Sequence, residues 1–225
     1  MVDTGLAGRD VMVFGAAGAL GSGVAAAFAD AGAAVLAADR VIPAVEHRLA
    51  GVSYQAVDVL DHGAVAAVLD ASPTPWAVLN TIGGFAPKRP LAELDPAELT
   101  SQLQLNLVSA AIITSHALRV MRAAGQGRIV HTASRAGLVS TGAGFAYSMS
   151  KLGVLHLVAM AADEVRGTGI TVNCVVPSII DTPANRAAMP AADHAAWPKV
   201  PDIARSYLYL ARPDSGLING AAIPV

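Results

Sequence analysis

Strand-like apolar runs alternate with helix-like stretches along the whole chain, and this alternation restricts the fold more than any other feature. Mostly apolar runs are typical of strands that a parallel sheet buries on both faces. Strands that alternate with helices are typical of α/β folds. The predicted strands are Val11–Phe14, Ala33–Ala38, Val52–Val57, Trp76–Leu79, Arg128–Thr132, Ile170–Val176 and Gly220–Val225. We therefore expect a parallel sheet covered by helices on both faces.

The first predicted strand runs into a glycine-rich turn and then a helix. Gly15, Gly18 and Gly21 follow the strand, and an alanine-rich stretch continues to about Ala31. Glycine permits positive φ and lets a phosphate approach the backbone, and a helix start offers free N–H groups and a partial positive charge. The order strand, turn, helix predicts a pyrophosphate site. The alternative is a turn that only packs the helix onto the strand.

Polar residues follow the next three predicted strands. Asp39 and Arg40 come after the second strand, Asp58 after the third and Asn80 after the fourth. A carboxylate at the end of the second strand can accept both hydroxyls of an adenosine ribose and repels a 2′-phosphate. Asp39 therefore favours NAD(H), and Arg40 beside it keeps NADP(H) as the alternative. The simpler interpretation of Asp39 is a loop cap.

A serine, a tyrosine and a lysine follow the fifth predicted strand. Ser134 comes at its end, and Tyr147 and Lys151 lie one turn apart on a predicted helix, with Tyr147 13 residues after Ser134. Side chains at i and i+4 share a helix face, about 5–6 Å apart at Cβ. We expect an ammonium that close to lower the phenol pKa from its usual value of about 10 and make it a proton donor and acceptor. The simpler interpretation is an ordinary surface pair.

Two long helices are predicted in the second half of the chain. Asp95 and Glu98 have capping-box spacing, with Pro96 at the first helical position, and this helix runs to about Ala124. Asn106 in its middle is a mediocre helix former and is either functional or polar glue in the core. The helix with the tyrosine and lysine is apolar nearly all round, which predicts burial on both sides.

Composition favours a single domain over residues 1–225. Hydrophobic residues make up 54% and charged residues only 14%, so we expect another subunit to cover part of the apolar surface. The net charge is −2, without a basic stripe, which argues against nucleic acid or an anionic membrane as a partner.

Cysteine, histidine and N-terminal patterns exclude further classes. Cys174 is the single cysteine, which excludes an internal disulfide and a cysteine-rich metal site, and the six histidines show no ligand spacing. No uninterrupted apolar run reaches the ~18–20 residues of a membrane span, and the N-terminus lacks a signal-peptide pattern. We expect a cytoplasmic protein without a metal.

Together these features resemble the short-chain dehydrogenase/reductase family over nearly the whole chain. The glycine turn, the polar residues after three strands, Asn106, the Ser–Tyr–Lys set and the stretch Pro177–Thr182 occur in family order. The resemblance implies an α/β, Rossmann-like, doubly wound parallel sheet of seven strands that binds a nicotinamide dinucleotide. It also implies a homodimer or homotetramer that pairs its long helices.

The resemblance further implies a catalytic tetrad of Asn106, Ser134, Tyr147 and Lys151. Tyr147 would exchange the proton, Ser134 would bond the substrate oxygen, Lys151 would also hold the nicotinamide ribose, and Asn106 would bind a relay water. Thr182 would fix the nicotinamide carboxamide. The implied cofactor contacts are Gly15, Ala17, Gly18, Leu20, Gly21, Asp39, Arg40, Asp58, Val59, Asn80, Gly83, Tyr147, Lys151, Pro177, Ile180 and Thr182.

The sequence departs from the family pattern in three places. Ala19 stands where the family's turn has its middle glycine, and the turn spacing looks more like the dihydropteridine reductase branch. Asn80 to Gly84 replaces the usual Asn-Asn-Ala-Gly, and Ser178 replaces the glycine after Pro177. The segment 184–197 is short for the family's substrate-covering region, which suggests an open or small pocket.

The sequence thus predicts an NAD(P)(H)-dependent oxidoreductase that interconverts a small carbonyl compound and its alcohol by hydride transfer. Two alternatives stay open: a dihydropteridine-reductase-like enzyme that reduces a pteridine or ring imine, and a dinucleotide-binding sensor without turnover. The substrate is not identified by the expected pocket residues, which are Arg135, Val139, Phe145, Ser178, Ile179, Met189 and Trp197.

Overall fold

Seven parallel strands form the central sheet. A computed structural model describes residues 4–71, 74–85, 89–139 and 144–225. The strands are β1 (Asp10–Phe14), β2 (Ala34–Asp39), β3 (Val52–Ala56), β4 (Ala77–Asn80), β5 (Gln126–Thr132), β6 (Gly169–Val176) and β7 (Ala222–Pro224). Their order is 3-2-1-4-5-6-7, which confirms the predicted doubly wound, Rossmann-like sheet. Strands β2 and β3 lie on one side of β1, and β4 to β7 lie on the other, so the order of the strands switches between β1 and β4. Such folds bind ligands at this switch point, beyond the carboxyl ends of the strands.

Helices cover both faces of this sheet. They are α1 (Ala19–Asp30), α2 (His62–Asp70), α3 (Pro96–Gln102), α4 (Ser109–Ala124), α5 (Phe145–Glu164), α6 (Pro183–Ala188) and α7 (Val200–Ala211). One core, which includes Phe28 and Tyr207, lies under α1 and α7. The other, which includes Ile113 and Val154, lies under α2, α4 and α5. Because all strands are parallel, the polar residues that follow them meet at one edge.

The helix predicted from Asp95 to Ala124 is interrupted by a π-helical segment, Leu103–Val108, between α3 and α4. Asp95 caps α3 by accepting the amide of Ala97, and Pro96 is at the first helical position. Glu98 forms an ion pair with Arg89 at 3.2 Å. The predicted capping role of Asp95 is therefore confirmed, whereas the Glu98 carboxylate pairs with Arg89.

Helix α5 is buried on one side only within this chain. Val154 and Val158 are in the core, whereas Leu152 is 46% and Met160 61% exposed. Among the described residues, α5 is the one helix long and apolar enough to cross a membrane by length and composition. The prediction of burial on both sides is thus wrong for a single chain, because the described parts of the chain leave the second apolar side of α5 exposed.

Candidate active site

The glycine turn packs tightly between β1 and the loop after β4. Gly15 has a φ of +84°, and a Cβ there would lie 2.8 Å from the amide nitrogen of Ile82. A Cβ on Gly21 would collide with the carbonyl oxygen of Gly15. Gly18 has an ordinary φ of −73° and room for a Cβ. Gly15 and Gly21 are therefore needed for packing, and Gly18 leaves the start of α1 open.

The start of α1 offers backbone amides to a ligand. Gly18 is its N-cap and supplies no side-chain hydrogen bond. Ala17 and Ala19 are exposed, whereas the Leu20 side chain is buried in the core, so only the amide of Leu20 can face a ligand. Uncapped amides at a helix start fit a pyrophosphate, and the exposed Ala19 adds only a methyl group there.

Asp39 lies at the end of β2 and is bonded to the glycine turn. Its Oδ2 accepts the amide of Ala17 at 2.9 Å, and its Oδ1 accepts the amide of Val41 at 3.4 Å. A carboxylate offers about four lone-pair sites, so two amide bonds leave acceptors for ribose hydroxyls. Asp39 thus caps the turn and remains able to bind a sugar, while Arg40 is exposed beside it.

The residues after β3 and β4 differ in their exposure. Asp58 is exposed, and Val59 is half-buried against the core. Asn80 is only 2% exposed. Its Nδ2 lies 3.1 Å from Nδ1 of His131, and its Oδ1 accepts the amide of Ile82 at 3.0 Å. The buried Asn80 side chain therefore holds the loop after β4 in place through its bond to the amide of Ile82.

Ser134 and Tyr147 meet beyond the end of β5. Their side chains share a hydrogen bond, and Ser134 Oγ also accepts the amide of Ala136 at 3.2 Å. Phe85 packs edge-on against the Tyr147 ring, with centroids 5.4 Å apart. Phe145, predicted to line the pocket, instead lines a groove on the outer side of α5, and Phe85 is the aromatic neighbour of Tyr147.

Lys151 reaches the same strand end from α5. It is 3% exposed, and its Nζ donates to the carbonyl oxygen of Thr132, the last residue of β5, at 2.9 Å. Gly83 lies over the ammonium, since a Cβ there would be 2.8 Å from Nζ. The structure therefore brings Ser134, Tyr147 and Lys151 together at the end of β5.

The pKa values of this group differ from the sequence prediction. Burial raises the pKa of Tyr147, and the hydrogen bond with Ser134 only partly offsets that rise. Burial lowers the pKa of Lys151 to about 8. The predicted lowering of the tyrosine pKa is therefore wrong for this arrangement, because burial penalises the phenolate and the ammonium is bonded to the Thr132 carbonyl.

Asn106 links the π-helical segment to the loop after β4. Its Oδ1 accepts the amide of Gly84 at 3.2 Å, and its Nδ2 donates to the carbonyl oxygens of Gly84 and Gln102 and to Gln102 Oε1. Asn106 Oδ1 would also lie 3.0 Å from a Cβ on Gly83, the point that Lys151 Nζ approaches. Asn106 is thus structural glue and also a near neighbour of the ammonium.

The stretch after β6 borders the site from the other side. Pro177 is buried, and its carbonyl oxygen accepts the amide of Arg135 at 3.0 Å. The carbonyl oxygen of Ile180 accepts Nδ2 of Asn185. Thr182 caps α6 by accepting the amide of Asn185 at 3.2 Å. The Thr182 hydroxyl proton is not used in that bond and can be donated to a ligand.

Sequence reasoning missed three members of this region. Thr132 could have been found from its place two residues before Ser134 on an apolar strand. Phe85 directly follows the glycine pair after β4, so its position was a usable signal. Gln102 had no signal, because only the π-helical geometry brings it to Asn106.

The arrangement can move a proton at an oxygen atom. A phenol, a serine hydroxyl and an ammonium converge where an oxygen-bearing ligand could bind, which suits general acid–base chemistry. Open amides at α1 and the Asp39 carboxylate fit a dinucleotide along the same edge. Within the four described ranges, no group of three or more His, Cys, Asp or Glu side chains is placed to hold a metal ion.

Comparisons with known proteins give consistent results. Residues 9–193 match the family model described as short chain dehydrogenase. The cis-4-hydroxycyclohexanecarboxylate dehydrogenase of Sinomonas cyclohexanicum is 34% identical, over 96% of this chain and 94% of its own. The mitochondrial borneol dehydrogenase of Lavandula x intermedia is 30% identical, over 96% of this chain and 88% of its own.

The fold has close structural counterparts as well. A short-chain type dehydrogenase/reductase from Mycobacterium ulcerans superposes with a TM-score of 0.90 at 25% sequence identity, covering 98% of this chain and 89% of the other. Fold and sequence similarity thus agree along nearly the whole chain.

Proposed function

Because the chain belongs to the short-chain dehydrogenase/reductase family, whose members use NAD(P) to act on CH–OH groups, we propose that it interconverts a ring-borne secondary alcohol and its ketone with NAD(H). The observation that carries this proposal is the convergence of Ser134, Tyr147 and Lys151 at one strand end. A bound nicotinamide would supply or accept the hydride. The side chains of the protein would bind the substrate oxygen and exchange its proton.

In the reduction direction, Tyr147 donates its proton to the substrate oxygen while Ser134 hydrogen-bonds the same oxygen. The raised pKa of Tyr147 keeps it protonated for this step. Lys151 keeps a positive charge beside the phenolate that forms, and it would hold the nicotinamide ribose. Asn106 Oδ1, which faces the region of the ammonium, binds a water that returns the proton to Tyr147.

The test of these roles is Tyr147→Phe, which removes one hydroxyl group and keeps the ring. We expect kcat to fall at least 10²-fold, the lower range for general acid–base catalysis, with dinucleotide affinity unchanged by fluorescence titration. Tyr209→Phe is the matched control, because Tyr209 is 54% exposed on α7. Unchanged turnover in Tyr147→Phe would refute the assignment.

The dinucleotide would lie along the edge from β3 to β6. Open amides at α1 would bind its pyrophosphate, Asp39 the adenosine ribose, Asp58 and Val59 the adenine, and Thr182 the nicotinamide carboxamide. The carboxylate of Asp39, fixed 2.9 Å from the Ala17 amide, cannot turn away from a 2′-phosphate without breaking that bond. This geometry supports a preference for NAD(H) over NADP(H).

Cofactor preference is measured by kcat/KM for NADH and NADPH. We expect at least a tenfold preference for NADH, which is a difference of about 1.4 kcal/mol in transition-state binding. Asp39→Asn should narrow the ratio, and Arg40→Ala should leave it unchanged. A tenfold preference for NADPH that Arg40→Ala abolishes would show that the arginine decides the choice.

The proposed substrate class rests on the pocket wall and on two relatives. Exposed apolar side chains, Phe85, Leu138, Val139 and Ile179, lie on the segments that border Tyr147 and Ser134. The names of the two relatives specify 4-hydroxycyclohexanecarboxylate and borneol, and both compounds are ring alcohols. An apolar wall that buries ring carbons favours such a substrate over an acyclic polyol.

A spectrophotometric panel tests the class and both alternatives together. It contains cyclohexanol, 4-hydroxycyclohexanecarboxylate, borneol, an acyclic polyol and, in the reducing direction, a quinonoid pterin. Oxidation of ring alcohols with the highest kcat/KM supports the proposal. Preferential reduction of the pterin would support the dihydropteridine-reductase alternative, and dinucleotide binding without any turnover would support the sensor.

We also propose that the chain forms a homo-oligomer through the outer groove, an apolar cavity of about 460 Å³ beside α5. It is lined by Leu99, Leu103, Leu107, Phe145, Met149, Leu152, Gly153 and His156. Light scattering at micromolar concentration should show a dimer or tetramer. Leu152→Glu should dissociate the oligomer. Val45→Glu is the control and should not, because Val45 is exposed and does not line the groove. A wild-type monomer would contradict the proposal.

A further inference from the structure

Tyr207 lies on α7, on the face of the sheet opposite to α5, yet it is bonded to the strand end that holds Lys151. Its side chain is completely buried, and its hydroxyl lies 2.5 Å from Thr132 Oγ1. Thr132 Oγ1 donates its single proton to the carbonyl oxygen of Asn80 at 2.8 Å. Tyr207 must therefore donate to Thr132, and the bonds run in one direction from Tyr207 to Asn80.

The same threonine holds the ammonium of the site. The carbonyl oxygen of Thr132 accepts Lys151 Nζ at 2.9 Å. The side chain of Thr132 is thus fixed from the α7 side while its carbonyl faces the α5 side. The peptide that carries this carbonyl is also held at its other side, where the amide of Ala133 donates to the carbonyl oxygen of Val175 at 2.9 Å. Loss of the side-chain bond therefore removes one of its two restraints and lets the acceptor that fixes Lys151 shift.

We propose that Tyr207 is a positioning residue for the reaction: through Thr132 it fixes the carbonyl oxygen that holds the Lys151 ammonium beside Tyr147. This inference rests on the proposed function, because it needs Lys151 to act on Tyr147. Burial raises the pKa of Tyr207, so its hydroxyl stays a proton donor across the working pH range.

A purely structural role would need no hydroxyl at this position. Phenylalanine fills nearly the same volume, and a buried hydroxyl has a desolvation cost that only its hydrogen bond offsets. Tyr207 places its proton on the one threonine that carries the lysine acceptor. The remaining titratable neighbours of Lys151 keep one charge state near neutrality, since the pKa of His131 is about 4 and that of Cys174 about 12.

The first test is Tyr207→Phe, assayed for alcohol oxidation between pH 6 and pH 10. The variant keeps the Thr132 bond to Asn80 and loses only the bond from the tyrosine. We expect kcat to fall about fivefold. The group that titrates in this range is Lys151, whose pKa is about 8, and the midpoint of the pH profile should fall by about 0.5 unit, because an ammonium that is less firmly hydrogen-bonded loses its proton more readily. KM for the alcohol should stay unchanged, and Tyr209→Phe on the same helix should match wild type.

A double variant separates positioning from stability. In Tyr207→Phe/Thr132→Val both partners of the tyrosine–threonine bond become apolar groups of similar shape, the bond from Thr132 to the Asn80 carbonyl oxygen is lost, and the Thr132 carbonyl remains. We expect the same stability in urea as for the Thr132→Val single variant, together with the lowered pH midpoint. A wild-type pH profile in the folded double variant would overturn the proposal, and so would a wild-type profile in Tyr207→Phe.

The proposed function is checked in the same assays. If wild type oxidises none of the panel alcohols, the proposed function fails and this inference fails with it. If wild type turns over normally and neither variant shifts the midpoint, only the positioning role fails. If Tyr207→Phe does not fold, the double variant decides the question alone.

Discussion

Strand β5 carries a buried cation against each of its two ends, and the two cations are held very differently. Arg128, near the start of the strand, is 4% exposed, and Lys151, bonded to its last residue, is 3% exposed. The Arg128 guanidinium donates to four backbone carbonyl oxygens, those of Gly127, Gly169, Arg212 and Pro213. Among the residues that the structure describes, the Lys151 ammonium has one such bond, to Thr132.

The difference supports our proposal that Lys151 is functional, whereas Arg128 is structural. A guanidinium has five N–H donors and an ammonium three, so Arg128 uses most of its donors within the fold and Lys151 leaves two for a ligand. Gly83 keeps the space beside Lys151 open, because a Cβ there would be 2.8 Å from Nζ. A buried charge with unused donors is costly for folding and is expected where a ligand completes its bonds.

The largest expected effect is on activity and comes from Lys151→Met. The substitution keeps side-chain length and removes the charge, so Tyr147 loses the cation that stabilises its phenolate. We expect kcat/KM for alcohol oxidation to fall at least 10³-fold, within the range for acid–base catalysis. Arg128→Met is the matched control and should keep kcat/KM within about threefold. If the lysine variant stays within tenfold of wild type, the two cations do not differ in function.

The second effect is on stability at alkaline pH. The folded-state pKa of Lys151 is about 8 against 10.5 for the free side chain, so the unfolded chain binds more protons between these values. The free energy of unfolding therefore rises with pH across this window, by about 3 kcal/mol relative to Lys151→Met. Urea titrations of both proteins at pH 7 and pH 10 measure this difference. A constant difference would show that the folded lysine keeps its proton.

Below pH 8 the same reasoning makes Lys151→Met at least as stable as wild type, because an apolar side chain avoids the desolvation of the ammonium. A variant that is less stable at pH 7 would mean that the Thr132 bond already compensates for burial. In that case Lys151 would resemble Arg128 more closely than we propose.

The third effect concerns Arg128→Met, which should destabilise the fold. Four carbonyl oxygens lose their donor at once, and unsatisfied buried acceptors are costly, so we expect a loss of about 2 kcal/mol. The loss appears as a lower urea midpoint with an unchanged slope. A neutral substitution would show that water replaces the guanidinium at this end of the sheet.

Sequence alone predicted the sheet and the residues that meet at the carboxyl ends of its strands, because strand periodicity and strand-end residues are local signals. Asp39 directly follows a predicted strand and Ser134 comes two residues after another, and parallel strands bring their ends together. Tyr147 and Lys151 were found from helical spacing. These predictions needed no knowledge of tertiary contacts, although the roles of the residues in binding and catalysis stay predictions.

The sequence could not predict how these groups are solvated or what holds them. The pKa of Tyr147 rises because of burial, which depends on packing from several elements. The acceptor of Lys151 is a backbone carbonyl and carries no sequence signal. Arg128 was predicted only as part of a strand, since its four acceptors come from segments as distant as Pro213. Tyr207 reaches Thr132 across 75 residues.

The smallest expected effect is near the start of β5, where two arginine side chains lie over one tryptophan ring. Arg9 and Arg128 lie over the Trp76 ring at 3.7 and 4.8 Å from its centroid. Burial and, after it, repulsion from Arg9 lower the pKa of Arg128. Beyond the loss of the bond from Arg9 Nε to the Gly5 carbonyl oxygen, Arg9→Met should therefore cost only about 0.5 kcal/mol, because the lost cation–π contact, worth up to about 1 kcal/mol, is partly offset by relief of that repulsion.

The same substitution in an Arg128→Met background tests whether the two cations are coupled. Without Arg128 there is no repulsion to relieve, so the cost of Arg9→Met should rise to about 1 kcal/mol, and the double-mutant cycle gives the coupling directly. Urea titration of the four proteins measures it. Equal costs in both backgrounds would show that the two guanidinium groups act independently on Trp76. The contacts near the start of β5 would then contribute to stability independently of one another, whereas the hydrogen bonds that hold Lys151 are linked.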